Sequence, residues 1–453
     1  MPGAVLSRSG EDNEEVAEEA TPRWAARLGM QPSLRWGYVG LLLFMIGDGV
    51  ESGFLSPYLI NDEHFQAQPV AFVFTLYGIV AGVAAWSSGA LSDLWGPRRV
   101  MSLGLVVWAF FEVIFLAVAI PSHNYTLILL SYGIRGIGYP LFAYGFLVWI
   151  AVATSRKRLG SAVGWFWFAF TGGFPTLGSL IASFTVPKMG AYASFWLSLG
   201  LVVVGGLIAL LFVREQAGRS RLAPPEQRPV ATLLASVTLM VQNPKIGVGM
   251  IVRTINTAPQ LGFLVFLPIY FTTELGFSLA AWLQILTIMF TSNIIFNLIF
   301  GVVGDKVGWR NTVVWFGGVG SAATTLLLYY LPTAMHANFL LASVVAVLYG
   351  ATLAGYVPLS ALMPTLAPES KGAAMSALNF GAGMSAFVGP LIVAIFLAPL
   401  GVVGVMWIFA VLYVISAVLA FTLKLPRPQD APQPVSVSGS EQQVGPADAG
   451  VTR

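Results

Sequence analysis

Twelve apolar segments fill most of this 453-residue chain and leave little polar sequence between them. Each is about 20 residues or longer, which at about 1.5 Å per residue spans a hydrocarbon core of about 30 Å. A soluble domain has about 25% charged residues, whereas this chain has 9%. We therefore predict an all-α integral membrane protein with twelve transmembrane helices, at residues 36–59, 70–92, 98–120, 124–150, 159–187, 192–213, 245–271, 280–304, 311–331, 338–360, 371–398 and 402–424.

The 23 lysines and arginines are distributed unevenly between the two sides of these helices. If the N-terminus lies inside, Lys188 alone falls in an outer connection, and nearly all the others lie in inner loops and tails. An excess of Lys and Arg marks cytoplasmic loops. The pattern predicts a protein of the plasma (inner) membrane with both termini cytoplasmic, and it explains the net charge of +3 without a nucleic-acid partner.

Two loops of the chain carry the same motif. GALSDLWGPRR (89–99) and GVVGDKVGWRN (301–311) both fit G-x-x-x-D-x-x-G-x-R, and their aspartates, Asp93 and Asp305, are 212 residues apart. The repeat predicts two six-helix halves, 34–213 and 245–425, joined by a cytoplasmic linker, 214–244. Residues 1–33 and 426–453, rich in Pro, Ser, Gly, Gln and charge, are predicted to be disordered cytoplasmic tails.

The motif has a physical logic that favours a gate between the two halves. Its first glycine lets helices approach closely, and its aspartate can accept hydrogen bonds from a neighbouring helix N-terminus. Its second glycine permits a tight turn, and its arginine can pair with a carboxylate across the gate. We predict a cytoplasmic gate formed by Gly89, Asp93, Gly96, Arg98, Arg99, Gly301, Asp305, Gly308 and Arg310.

Five ionisable side chains fall well inside the apolar segments, at Asp48, Glu51, Glu112, Arg135 and Arg253. An acidic side chain at mid-membrane costs roughly 2.5–3.5 kcal/mol. We therefore expect the ionisable side chains in these segments to have a role in function. Asp48 and Arg135 lie at matching depths in their helices, which predicts an ion pair. Glu112 is the rival partner of Arg135; in that alternative their pair is structural and Glu51 faces the outer vestibule.

The three carboxylates in these segments outnumber the two arginines. Because burial disfavours a charged carboxylate, one of them is expected to hold a proton part of the time. A carboxylate that alternates between protonation and pairing with arginine can couple proton entry to solute entry. We predict Asp48, Glu51, Arg135 and Glu112 as proton-coupling residues, with either Asp48 or Glu51 carrying the proton.

Aromatic and amide side chains in the apolar segments indicate where a solute would bind. Trp165 and Phe168 share one face of helix 5, and such faces suit the C–H surface of a carbohydrate. Arg253, Asn256 and Gln260 fall at i, i+3 and i+7, which is one stripe of helix 7. This inventory favours a neutral, hydroxyl-rich solute. The predicted substrate-binding residues are Trp165, Phe168, Arg253, Asn256, Gln260, Asn293, Asn297 and Asn379.

The twelve-helix pattern and the repeated loop motif resemble the major facilitator superfamily over residues 36–425. The runs WGYVGLLLFMIGDGVESGFLSPYL, SYGIRGIGYPLFAYGFLVW and GSAVGWFWFAFTGGFPTLGS are similar to its polyol permeases for ribitol and D-arabinitol, a branch that includes proteins labelled as 2-oxoglutarate carriers. The resemblance implies a proton-driven pentitol importer working by alternating access. Sugar–proton symporters of the superfamily have an aspartate after a glycine on helix 1 and an arginine on helix 4, which Asp48 and Arg135 match.

Two other transport functions stay open. In an organic-acid–proton symporter, Arg135 and Arg253 would clamp a carboxylate with their planar forks, although the three carboxylates leave no net positive cavity. A drug-efflux antiporter is favoured only by a loose match of GGFPTLG (172–178) to a helix 5 signature. The sequence has neither a phosphate loop nor a zinc helix, so we predict no enzyme, no metal and no cofactor, with the proton as coupling ion and the monomer as the working unit.

Overall fold

The computed structural model of the chain describes residues 32–154, 158–222, 238–335, 338–368 and 371–424. Within these ranges the chain is helical with short connections and contains no strand, which confirms the all-α prediction. Apart from residues 32 and 33, the predicted tails 1–33 and 426–453 lie outside the described residues. So does the middle of the predicted linker, residues 223–237.

Eleven helical segments in the described ranges are long and apolar enough to cross a membrane. The first half contains α1 (Arg35–Asp62), α2 (Ala67–Trp95), α3 (Pro97–Ala119), α4 (Tyr125–Ala153), α5 (Ser161–Met189) and α6 (Ala191–Phe212). The second half begins with α7 (Pro244–Glu274), α8 (Leu279–Val307), α9 (Trp309–Met335) and α10 (Phe339–Leu366).

The last helical segment, Lys371–Thr422, contains two crossings. Its backbone is broken at Gly401, where φ is 65°, a left-handed conformation that glycine adopts readily. At about 1.5 Å per residue the segment is longer than two hydrocarbon cores. We divide it at the break into α11 (371–400) and α12 (402–422), which confirms the prediction of twelve membrane helices.

The two halves share backbone details as well as helix order. Helices α2 and α8 both have 29 residues, and each starts and ends at positions 212 residues apart. The π-helical turns Tyr58–Asp62 and Tyr270–Glu274 end α1 and α7 at the same spacing. Within the two loop motifs, Gly96 and Gly308 have φ values of 86° and 99°, which confirms the predicted tight turns.

The loop motifs define two sides of the bundle. We call the side that carries them the motif side and the opposite one the far side. Among the described residues, three hydrogen bonds join the halves, and all lie towards the far side: Ser56 Oγ to the Val265 carbonyl, Trp282 Nε1 to the Gly53 carbonyl and Thr287 Oγ1 to the Thr176 carbonyl. The hydrogen bonds between the halves therefore lie on the far side, whereas α2 and α11 pack against each other without them, as at Gly82 and Gly383.

Small residues allow the helices of the first half to pack closely. A Cβ atom added at Gly49 of α1 would lie only 1.8 Å from the carbonyl oxygen of Phe174 in α5. Close backbone approach of this kind takes the place of the hydrophobic effect in holding membrane helices together. Gly49 therefore sets the distance between α1 and α5.

We expect Gly49→Ala to lower the melting temperature of the purified protein, because α1 and α5 must separate to admit the methyl group. Overpacking of this kind costs about 1–3 kcal/mol. The matched control is Gly200→Ala in α6, where an added Cβ would meet no described atom within 4 Å. Equal melting temperatures for the two variants would contradict the packing argument.

Candidate functional site

A buried ion cluster joins α1, α3 and α4 in the first half. Arg135 Nη1 donates a 2.8 Å hydrogen bond to Glu51 Oε2, and the guanidinium also pairs with the other Glu51 oxygen and with Glu112. The rings of Tyr132 and Trp108 lie 4.2 and 4.7 Å from its Cζ. All three charged side chains are at most 1% exposed, so the fork is enclosed by carboxylates and aromatic faces.

The three charged residues lie where their helices are interrupted. Glu51 precedes a turn at residues 53–54 of α1, and Arg135 precedes a turn at residues 136–137 of α4. Glu112 comes shortly before the π-helical turn Phe115–Ala119 of α3. Arginine in the last turn of a helical segment interacts favourably with its carbonyl end. All three charged side chains of the cluster therefore lie next to an interruption of their own helix.

The predicted ion pair between Asp48 and Arg135 is wrong. The carboxylate partners of Arg135 are Glu51 and Glu112, so Glu51 does not face an outer vestibule either. Asp48 accepts a 2.9 Å hydrogen bond from Trp108 Nε1, and its buried Oδ2 atom has no hydrogen-bond partner among the described residues. Asp48 and Arg135 were paired because they lie at similar depths in their helices. In the structure Glu51, one turn further along α1, contacts the guanidinium instead.

A line of aromatic rings leads away from the ion cluster; we call it the tyrosine row. The ring centroids of Tyr77 and Tyr139 are 6.2 Å apart, those of Tyr139 and Phe170 6.3 Å, and those of Phe170 and Tyr144 6.1 Å. At one end Tyr77 lies 5.6 Å from Arg135 Cζ. The other end of the row is Tyr144, which belongs to α4 like Tyr139. The three hydroxyls make no hydrogen bond to a described residue.

The aromatic residues predicted on α5 are not those that join the row. Phe168 is 52% exposed and Trp165 packs against its edge, whereas Phe170, two residues further, contacts Tyr139 and Tyr144. The sequence showed which side chains are aromatic but not how α5 is rotated. The signal that sequence reasoning missed is the set of tyrosines within the apolar segments of α2 and α4.

The polar stripe predicted on α7 is present and has few partners. Arg253 is partly buried and makes no ion pair or hydrogen bond with a described residue. Asn256 is 4% exposed, and its Oδ1 atom has no hydrogen-bond partner. Gln260 is partly buried and likewise makes no hydrogen bond with a described residue. The α7 stripe therefore has polar groups that are not used by the rest of the described chain.

The other predicted amides have different surroundings. Asn293 Nδ2 donates a 3.1 Å hydrogen bond to the Gly350 carbonyl of α10, and Asn297 Nδ2 lies 3.4 Å from Asn293 Oδ1. Asn293 therefore holds α8 against α10, and Asn297 supports Asn293 from the same helix. Asn379 is exposed on α11 and makes no hydrogen bond to a described residue.

The first glycine of each loop motif does not mediate a close contact here. An added Cβ at Gly89 or Gly301 would meet no described atom within 4 Å, so the predicted close helix approach at these two positions is wrong for this structure. The side chain of Asp305 accepts a hydrogen bond from Trp309 within its own loop, and that of Asp93 has no partner in the described chain. Within the described chain the motif aspartates make no hydrogen bond to the other half, because the hydrogen bonds between the halves lie on the far side.

The motif arginines form no ion pair with a carboxylate within the described ranges, contrary to the prediction. Arg98 Nη2 donates instead to the Leu210 carbonyl at 2.7 Å, Arg99 has no such partner, and Arg310 lies over the ring of Phe421.

The start of the linker packs on the first half. The Leu222 amide donates to the Asp93 carbonyl at 2.9 Å, and Trp149 Nε1 donates to Glu215 at 2.8 Å. A Cβ at Gly218 would lie 2.2 Å from the Trp149 ring. Residues 214–222 therefore pack against α2 and α4 of the first half. The sequence did not predict this contact.

Comparisons with known proteins agree with this architecture. The family described as Major Facilitator Superfamily matches residues 37–289 and 249–449. A solved structure of a mutant of the nucleoside transporter NupG has the same fold, with a TM-score of 0.67 and 15% sequence identity, covering 86% of this chain and 99% of that one.

Curated relatives are similar over most of their length. The chain is 48% identical over 393 residues to the Alpha-ketoglutarate permease of Bacillus subtilis (strain 168), covering 87% of this chain and 89% of that protein. It is 39% identical to the D-arabinitol transporter and the Ribitol transporter of Klebsiella pneumoniae, over 88% of this chain and 94% of each of those. These names are those of transporters and permeases, which confirms the prediction that the chain is not an enzyme. The chain belongs to the Major Facilitator Superfamily and is an integral membrane transporter of a small solute.

Proposed function

We propose that the chain imports a small organic acid of the 2-oxoglutarate type together with a proton. The observation that carries this proposal is Arg253, a guanidinium within a membrane helix that has no carboxylate partner among the described residues. An unpaired charge at this depth is costly. A substrate carboxylate matches the guanidinium fork with two parallel hydrogen bonds, so binding would remove that cost.

The ion cluster removes the main objection to an anionic substrate. The sequence has three acidic side chains in the membrane, but Glu51 and Glu112 both pair with Arg135. Asp48, the third, accepts a hydrogen bond from Trp108 beside the same cluster, so no carboxylate of the described residues pairs with Arg253. The tyrosine row offers three hydroxyls that bond to no described residue, and these can donate to a second carboxylate or to a keto oxygen. The 48% identity to the Bacillus permease supports the same substrate class.

A pentitol is the second candidate, and specific features favour it. The hydroxyls of the tyrosine row and the amides of Asn256 and Gln260 supply both donors and acceptors, which suit a solute made of hydroxyl groups. The two Klebsiella relatives are named for such solutes. In this alternative Arg253 donates to solute hydroxyls.

We propose Asp48 as the residue that carries the proton. Within the described part of the chain its one hydrogen-bond partner is the neutral indole of Trp108, and its second oxygen is buried with no partner there. A neutral carboxyl group tolerates such a site far better than a carboxylate does. Glu51 and Glu112, by contrast, each contact the positive charge of Arg135. Loss of the proton from Asp48 would add a negative charge beside this cluster and favour its rearrangement.

The sides of the bundle indicate which way this conformation faces. If the basic loops lie inside, the chain sits in the inner membrane with both termini cytoplasmic. The far-side hydrogen bonds then close the outer side, and the structure corresponds to a state that faces the cytoplasm. The ion cluster, the tyrosine row and the α7 stripe all belong to one chain, which supports a functional monomer.

Proton symport of an organic acid predicts a rise in external pH when 2-oxoglutarate is added to energy-depleted cells that express the protein. Ribitol and D-arabinitol, added separately, serve as the comparison, and cells without the protein as the control. A rise with a pentitol and none with 2-oxoglutarate would establish the second candidate instead. No change with any of them would contradict both.

Arg253→Gln is expected to raise the KM for 2-oxoglutarate by about 10- to 100-fold, because a hydrogen bond to a charged group contributes about 1.5–3 kcal/mol. Initial uptake rates over a range of concentrations measure this change. Arg35→Gln, at the exposed start of α1, is the matched control and should leave KM unchanged. An unchanged KM in Arg253→Gln would remove the anion site from this part of α7.

Asp48→Asn is expected to abolish accumulation of the solute against its gradient while leaving exchange of labelled for unlabelled solute intact. The amide resembles the protonated carboxyl group but cannot release a proton. Asp62→Asn, exposed at the end of the same helix, is the control. Accumulation at the normal level in Asp48→Asn would assign the proton to another residue, with Glu51→Gln as the next variant to measure.

A further inference from the structure

The interruption of α1 exposes a backbone carbonyl in an apolar region. Regular helix ends at Ser52, Gly53 and Phe54 form a turn, and helix resumes at Leu55. A carbonyl at such a break lacks its intrahelical partner. In a membrane there is little water to replace that partner, so the Gly53 carbonyl needs a donor from another part of the protein.

That donor comes from the other half of the molecule. Trp282, in the first turn of α8, donates its indole N–H to the Gly53 carbonyl at 3.1 Å. The indole is 1% exposed and packs against Phe271 with ring centroids 4.9 Å apart. Trp has a single polar group, so this bond satisfies both polar atoms at once. Separation of the halves on the far side would leave both unpaired.

The other two hydrogen bonds between the halves have hydroxyl donors, which can turn to other acceptors. Thr287 also donates to the Leu283 carbonyl of its own helix at 2.8 Å, while its distance to the Thr176 carbonyl is 3.5 Å. Ser56, one turn beyond Gly53 on α1, donates to the Val265 carbonyl. A small hydroxyl can rotate to another acceptor, whereas the indole N–H is fixed by its packed ring. Trp282 is therefore the specific contact at the α1 break.

The same short segment of α1 also contacts the ion cluster. Glu51 is two residues before Gly53, and its side chain is bound by Arg135 of α4. Ser52, between them, bonds to the Gly49 carbonyl at 2.8 Å and stiffens this turn. A movement of the Gly53 carbonyl is therefore passed to the Glu51 side chain over only two residues.

We propose that Trp282 is a positioning residue of the transport cycle. Its indole holds the far side closed by binding the broken α1, and the loss of this bond when the far side opens displaces Glu51 in the ion cluster. Transporters of this superfamily alternate access by rocking one half against the other. The inference depends on this fold and not on the identity of the solute.

The absence of cysteine from the chain makes the test direct, because one introduced cysteine is then the only thiol. Ser179→Cys reports on the far side: Ser179 of α5 is fully buried and lies beside Gly53. Asn379→Cys reports on the motif side: Asn379 is exposed next to Phe380, whose ring contacts Trp86 of α2. A membrane-impermeant maleimide is applied to vesicles of either orientation, and the labelling rate of each cysteine is measured.

Trp282→Phe keeps an aromatic ring but removes the N–H group. We expect it to raise the labelling rate at Ser179→Cys by about fivefold, the factor that corresponds to the loss of one hydrogen bond, and to lower the rate at Asn379→Cys. Opposite changes in the two rates show a shift from the state closed on the far side to the state closed on the motif side. A general loosening of the fold would raise both rates. Trp315→Phe, at a residue of α9 that is 57% exposed, is the control and should change neither rate.

Two results would overturn the proposal. If neither labelling rate changes in Trp282→Phe, the bond to Gly53 does not hold the far side closed. If both rates rise, the tryptophan supports the fold in general and has no specific role in closure. Labelling does not require transport, so either result would leave the proposed substrate and proton carrier to be judged by their own experiments.

Discussion

The enclosure of Arg135 between Glu51 and Glu112 is the interaction on which the other features depend. A guanidinium buried among membrane helices must be paired, and this one takes carboxylates from α1 and α3 while aromatic rings cover its faces. Because both glutamates are used there, Asp48 is left with a neutral indole and Arg253 with no carboxylate partner among the described residues. The unequal roles proposed for these charges follow from how Arg135 is satisfied.

Broken helices connect this cluster to the movement of the two halves. An uninterrupted α1 would present only side chains to its neighbours, since its carbonyls would be bound within the helix. The turn after Glu51 places a carboxylate facing α4 and a carbonyl that accepts a hydrogen bond from α8 within three residues. The same stretch of chain thus belongs both to the charged site and to the contact that closes the far side.

The sequence predicted the twelve helices and the two halves well because both depend on local or repeated patterns. Apolar length decides whether a segment can cross a membrane, and the motif glycines Gly96 and Gly308 decide where the chain can turn. Predictions that needed the rotation of a helix were less accurate. Trp165 and Phe168 were expected to face a solute, yet Phe170 joins the tyrosine row.

The sequence alone determined the crossing helices, their order, the duplication and which side chains could carry charge in the membrane, since these follow from hydropathy and spacing along the chain. Only the tertiary structure decided which carboxylates meet Arg135, which arginine stays unpaired and which tryptophan caps the α1 break. The physical reason is that the place of a residue along its helix fixes its depth in the membrane. Which side chain it contacts depends on the rotation of the helices and on the distance between them. Those are set by close contacts such as that of Gly49 with Phe174, which involve the whole bundle.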